Sequence, residues 1–201
     1  MNELLSFAQL GVRHILDVEA LDHLLFLVAL AAIYRFRDLR ALLWVATAFT
    51  VGHSITLALA VTGTLHLPSA LVEFLIPVTI VITGIENVVV SDRARAPWGG
   101  RYRPVLAGVF GLVHGAGFAA YLQALFVDRI AVPLLGFNLG IEAGQLVVLA
   151  AAATALALID TGLRAVRLTT LRWPAVRLRA VAVSLVVIAV ASQWALERTP
   201  W

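Results

Sequence analysis

Cysteine and lysine are both missing from the 201 residues. Without thiols there is no disulfide framework and no thiolate metal site, so any metal has to be held by nitrogen and oxygen donors. Charge is scarce too. Only 13% of residues are charged while 61% are hydrophobic, and mean hydropathy is +0.94, whereas soluble domains carry about 25% charged and about 45–50% apolar residues. This balance excludes an ordinary soluble domain and points to an integral membrane protein. No Walker A sequence occurs, so any transport or chemistry is not driven by nucleotide bound to this chain. Internal repeats and inverted halves are absent as well, and the chain reads as a single domain over 1–201. The first residues, MNELLSFAQLGVR, lack a basic n-region and a small-residue cleavage site, so no cleaved signal peptide is expected.

What is present is a series of long apolar runs. Six are marked at about 15–34, 40–63, 70–91, 104–127, 134–160 and 178–197, each near the roughly 20 residues a helix needs to cross a bilayer. Residues 1–13 read as an interfacial lead-in. The fold class is therefore all-α: a polytopic transmembrane bundle of about six spanning helices. The fifteen positive residues are all arginine, and twelve fall in or beside the first, third and fifth connections; Arg13, Arg129 and Arg198 alone belong to the other side. Positive charge collects on the cytoplasmic face, so both termini are expected outside, in a cell inner (cytoplasmic) membrane. Arginines dispersed among short loops signal topology and do not form a nucleic-acid surface, so the bilayer is the partner and nucleic acid is not. Pro77 lies inside the third run and is expected to kink its helix.

Against this apolar background the ionisable residues stand out, because a charge at the centre of a membrane helix costs roughly 2.5–3.5 kcal/mol on insertion scales and calls for a functional reason. Asp22 and His23 fall about two turns from the outer end of the first run. His53 falls about three turns from the outer end of the second, and His114 three to four from that of the fourth. Asn138, Glu142 and Gln145 follow at i, i+4 and i+7 on one face of the fifth. Glycines at 111 and 115 and at 136, 140 and 144 form small-residue stripes that let helix backbones approach closely. Acids and imidazoles from four runs are thus expected to converge in the outer half.

The candidate ligands of that site are Asp22, His23, His53, His114 and Glu142. His14, Asp17, Asn138, Gln145 and Glu86 are placed behind them or along an entry path, since a ligating imidazole usually gives its second N–H to a carboxylate or amide. Thr47, Thr50, Ser54, Thr56, Thr79 and Thr83 read as interhelical hydrogen-bond partners. Glu86, near Arg93 and Arg95, reads either as an interfacial charge pair or as an inner-gate group below Thr79 and Thr83. His66 and Glu73 belong to the outer surface. Imidazole with carboxylate and no thiolate suits nickel, cobalt and zinc, with iron or manganese behind them.

Several segments resemble one family. HIL followed by DHLLFL, then FTVGHSITL, GIENV, FGLVHGAGFA and FNLGIEAGQ are similar to the HupE/UreJ membrane proteins, associated with hydrogenase and urease operons and regarded as permeases for nickel or related metals. The resemblance covers most of residues 11–150 and implies a polytopic metal permease. The wider nickel and cobalt transporters place an Asp-His pair after an upstream His, similar to His14 with Asp22 and His23. Here the step from His14 to Asp22 is eight residues, which changes the helical phase and sets His14 apart from the ligands.

Two functions are open to this pattern. The first is a permease that takes a divalent metal ion, nickel first and zinc or cobalt next, from the outer side. The second is an intramembrane metal-dependent hydrolase with Glu142 or Asp22 as general base. A second copy of the chain or a metallochaperone would be the protein partners.

Overall fold

A computed structural model of the protein describes residues 3–17, 21–91, 96–125, 130–165 and 173–200. All regular elements among them are helical: α1 (Glu3–Leu16), α2 (Leu21–Ala31), α3 (Leu39–Val61), α4 (Ser69–Val90), α5 (Arg103–Leu125), α6 (Ala131–Ala165) and α7 (Ala175–Glu197). Short 3-10 turns precede α3 and α5. Among the described residues four helical stretches are long and apolar enough to cross a membrane, namely Phe36–Val61, Ser69–Val90, Ala131–Ala165 and Ala175–Glu197.

Of the six expected spans, those at 15–34 and 104–127 are not among these four; the second of them forms α5, and the first is interrupted. The run over 15–34 does not form one helix: α1 ends at Leu16 and α2 begins at Leu21. The 11 residues of α2, about 16 Å at a rise of 1.5 Å per residue, cannot cross a bilayer alone. Residues 3–13, expected to lie at the interface, belong to α1 and pack along α6. The physical reason is that apolar content reports burial and is silent on whether the backbone hydrogen-bond ladder continues. An acid such as Asp17, immediately past Leu16, is disfavoured at the negative end of a helix and is a local reason for α1 to stop there. The neighbouring Val18 and Glu19 lie outside the described residues. By contrast α4 runs through Pro77 as one helix.

Glycine decides how the helices pair. A Cβ placed on Gly52 would overlap the carbonyl of Gly108; on Gly111, that of Phe49; and on Gly115, the backbone of His53. The partners rise together in number, Ala48 with Gly108, Phe49 with Gly111 and His53 with Gly115, so α3 and α5 run parallel with their backbones in contact. The same holds for α1 and α6, where Leu4 meets Gly136, Ala8 meets Gly140 and Val12 meets Gly144. In lipid no hydrophobic force drives two helices together, so the van der Waals gain of such close approach carries the association.

At one end of the bundle two arginines lock the end of α2. Arg103 is buried, 2% exposed, and pairs with Glu86 at 3.0 Å. The same guanidinium donates to Asn87 Oδ1 (2.8 Å) and lies 5.2 Å from the centre of the Tyr34 ring. Asn87 Nδ2 in turn donates to the Ala29 carbonyl (2.6 Å). Arg179, also 2% exposed, donates to the Tyr34 carbonyl (3.0 Å) and stands 3.4 Å from Asp160. The Tyr102 hydroxyl donates to the second Glu86 oxygen, and burial followed by that bond raises the phenol above its ordinary pKa. Glu86 therefore meets Arg103 and Tyr102; Arg93 and Arg95, its expected neighbours, lie outside the described residues. Arg103 and Arg179, counted as topology charges in the sequence, are internal ion-pair partners.

Two outcomes follow. Gly111→Val should lower stability by about 3 kcal/mol, because the added methyls meet backbone that cannot rotate away, and thermal unfolding in detergent measures it. Arg103→Met should cost about 3–5 kcal/mol by leaving the Glu86 carboxylate buried and unpaired, and adding Glu86→Gln should restore part of that loss in the same assay.

Candidate metal centre

The interruption between α1 and α2 is flanked by two imidazoles that meet edge to face. His14 stands in the last turn of α1 and His23 in the first turn of α2, and their ring centres are 4.6 Å apart. From α3, His53 joins them at 6.1 Å from His14 and 6.0 Å from His23. One ring nitrogen from each of the three lies within 4.8 Å of the others. Imidazoles sharing one ion at about 2.0–2.1 Å sit about 3–4 Å apart, so small ring rotations would bring all three onto a common cation. His114 of α5 lies beside His23, at 5.3 Å between ring centres.

The backbone contacts described above place these rings. His53 is at the α3–α5 contact, where Gly115 abuts its backbone, so His53 and His114 are held at one level. Gly11 abuts Phe137, and Gly144 abuts Ile15 next to His14. Aromatic rings close the surroundings. Phe118 stacks on Phe137 at 5.2 Å and lies 4.0 Å from His14, while Phe26 and Phe49 each lie 5.1 Å from His114.

The hydrogen-bond accounting is what marks the cluster as a donor set. Among the described residues, both ring nitrogens of His23 and of His53, Nε2 of His14 and Nδ1 of His114 are buried without a hydrogen-bond partner. Buried polar atoms are nearly always bonded, and one left over calls for an explanation. Several lone pairs gathered at one point fit a cation. The exception is informative. Thr79 gives its single proton to the Ile76 carbonyl (2.7 Å), so the hydrogen it shares with His114 Nε2 (2.9 Å) belongs to the imidazole. His114 Nδ1 therefore keeps its lone pair, with the ring orientation fixed from behind by Thr79.

The carboxylates expected in the ligand set have hydrogen-bond partners of their own. Asp22 Oδ2 accepts from Arg198 at 3.0 Å, and Glu142 accepts from Thr47 at 2.5 Å. Neither belongs to the three-imidazole group. Gln145 accepts from Thr50 at 3.0 Å, and its Nε2, like Asn138 Oδ1, is buried without a partner among the described residues. Asp17 is exposed just past α1. Glu86 lies in the arginine lock. His66 and Glu73 line a separate cavity of about 150 Å³ with Ser69 and Gly117.

Of the five expected ligands, His23 and His53 fall in the three-nitrogen group, and the third member is His14, which helical phase sets apart from the ligands. That reasoning assumed one continuous helix; with α1 and α2 separate, phase does not carry across. The partners Thr79 and Arg198 left no signal, because nothing in a single sequence pairs residues 35 or 176 positions apart.

A family model described as HupE / UreJ protein matches residues 1–198, and the chain belongs to that family. No curated protein and no solved structure matches the chain.

Replacing Thr79 by Val should leave the His114 Nε2–H buried and unpaired, at about 1–3 kcal/mol. It should lower the melting temperature more than Thr154→Val, whose hydroxyl bonds only its own helix at an exposed position.

Proposed function

We propose that this multi-pass member of the HupE/UreJ family carries a divalent transition-metal cation across the cell inner membrane, with His14, His23 and His53 as its binding site and His114 beside them. The observation that carries the reading is the group of buried imidazole nitrogens without partners, contributed by α1, α2, α3 and α5. Nitrogen donors without thiolate favour nickel, then cobalt or zinc. Neutral imidazoles leave the site's charge close to that of the ion, which suits a cargo that must also leave.

The helix interruption supports the same reading. Carriers commonly bind ions near the membrane midplane where a helix is discontinuous, because the rigid halves can be reoriented around the site. Here α1 supplies His14, α2 supplies His23, and the two packed pairs α1–α6 and α3–α5 hold opposite sides. On the topology that places both termini outside, Asp22 with Arg198 lies on the outer side of the cluster. Glu86, Asn87, Tyr102 and Arg103 lie on the inner side. This ion-paired inner group is the closed end of the route, and an ion leaving inward has to separate the Arg103–Glu86 pair.

An intramembrane hydrolase would need a general base within hydrogen-bond reach of a metal-bound water. The two acids suited to it by sequence are engaged with Arg198 and Thr47, which favours transport.

Proteoliposomes enclosing a nickel-sensitive dye should show uptake with wild type. With His53→Ala or His23→Ala, uptake should fall at least tenfold, and equilibrium dialysis of the purified variants should show a matching loss of nickel binding, since each removes one of three ligands. Nickel bound by the pure protein but never delivered to the lumen would defeat transport in favour of catalysis. Binding unchanged in the His23→Ala/His53→Ala double variant would remove the site itself.

A further inference from the structure

The three imidazoles bring no negative charge to a divalent ion, and a charge in low dielectric is costly unless one of opposite sign is near. The acid adjacent to a ligand in the chain is Asp22, in the first turn of α2 beside His23. Its carboxylate is divided: Oδ2 lies 3.0 Å from Arg198 Nη1, while Oδ1 is buried with no partner among the described residues. The side chain is only 16% exposed. Arg198 comes from a different part of the fold, the residue directly after α7, where its backbone N–H bonds the Trp194 carbonyl at 3.0 Å.

Arg198 has a second contact in the same pose, one that does not depend on Asp22. Its guanidinium carbon lies 5.7 Å from the centre of the Trp194 ring, within the range in which an aromatic face attracts a cation. Glu197, the adjacent acid, is taken by Gln193 at 2.8 Å. The guanidinium is 32% exposed, and pairs this open to solvent are weak and easily exchanged. Asp22 thus has one loosely held positive partner and one unused oxygen, next to a site suited to a second positive partner.

We propose that Arg198 is a tethered competitor of the incoming cation: it holds the Asp22 carboxylate on which the cation draws, so loading the imidazole cluster requires Arg198 to withdraw. The inference rests on the imidazole cluster being the metal site and adds an affinity-setting residue to it. Its consequence is a coupling between ion binding and the end of α7. Entry of a dication is accompanied by release of a guanidinium, which keeps the local charge from rising by the full two units and keeps the ion exchangeable. Arg198 touches no ligand nitrogen; it acts through Asp22.

The test is a nickel titration of the full chain purified in detergent, comparing wild type, Arg198→Gln, Arg198→Lys, Asp22→Asn and Asp22→Asn/Arg198→Gln. Arg198→Gln should bind nickel about fivefold more tightly, the change expected when a solvent-screened ion pair stops competing. Asp22→Asn should bind more weakly than wild type. In the Asp22→Asn background the Arg198→Gln gain should vanish, and Arg198→Lys, which keeps the charge, should stay close to wild type. A folded Arg198→Gln protein with unchanged or weaker affinity overturns the inference while leaving the cluster intact. An equal gain in the Asp22→Asn background overturns it too, since that would be general repulsion of the ion. Wild type that binds no nickel takes down the cluster and the inference together.

Discussion

Backbone contact between parallel helices is the constraint on which the rest of this structure depends. In a bilayer the lipid tails compete on equal terms for every apolar side chain, so helices adhere where their surfaces fit closely. The fit comes from residues without a Cβ: Gly52, Gly111 and Gly115 between α3 and α5, and Gly11, Gly136 and Gly140 between α1 and α6. The imidazoles sit at these seams. His53 touches Gly115 with its own backbone, so the contact that joins the helices also sets the height of its ring. A larger residue at the seam would separate the helices and the rings with them.

The short helix α2 lies between the two seams and is held at its ends. Arg179 donates to the Tyr34 carbonyl just beyond the C-terminal end, where a positive charge complements the helix dipole. Asn87, itself held by Arg103, takes the Ala29 carbonyl. At the other end Asp22 meets Arg198. These attachments are unequal. The pair of buried arginines, each 2% exposed, is shielded from solvent and costly to separate, whereas the Asp22–Arg198 pair is partly wet and weak. A helix fixed firmly at its C-terminal end and loosely at its N-terminal one can change its N-terminal contacts without losing its place. His23 lies on the loose side.

The chemistry of the cluster follows from what surrounds it. Phe26, Phe49, Phe118 and Phe137 exclude water from the rings, which removes the usual partner of an unpaired imidazole nitrogen. Thr79 satisfies one nitrogen of His114 and so determines which one presents a lone pair. The acids have partners of their own, Asp22 in Arg198 and Glu142 in the Thr47 hydroxyl. The rings and the acids are thus differently engaged: most ring nitrogens have no hydrogen-bond partner among the described residues, while each acid has one.

The sequence by itself determined the environment, the helical class and three of the rings. Composition forces helices because lipid offers no partner to unpaired backbone groups, and His23, His53 and His114 are conspicuous because an imidazole deep in an apolar run has no other evident reason to be there. The glycine stripes were legible for the same reason. The interruption of the first run, the approach of His14 to His23 and His53, the bonds of Asp22 and Glu142 to Arg198 and Thr47, and the burial of Arg103 and Arg179 were decided only in three dimensions. Hydropathy is a sum over neighbours along the chain, whereas an ion pair between residues 22 and 198 or a ring bonded from another helix depends on which backbones approach one another and at what angle.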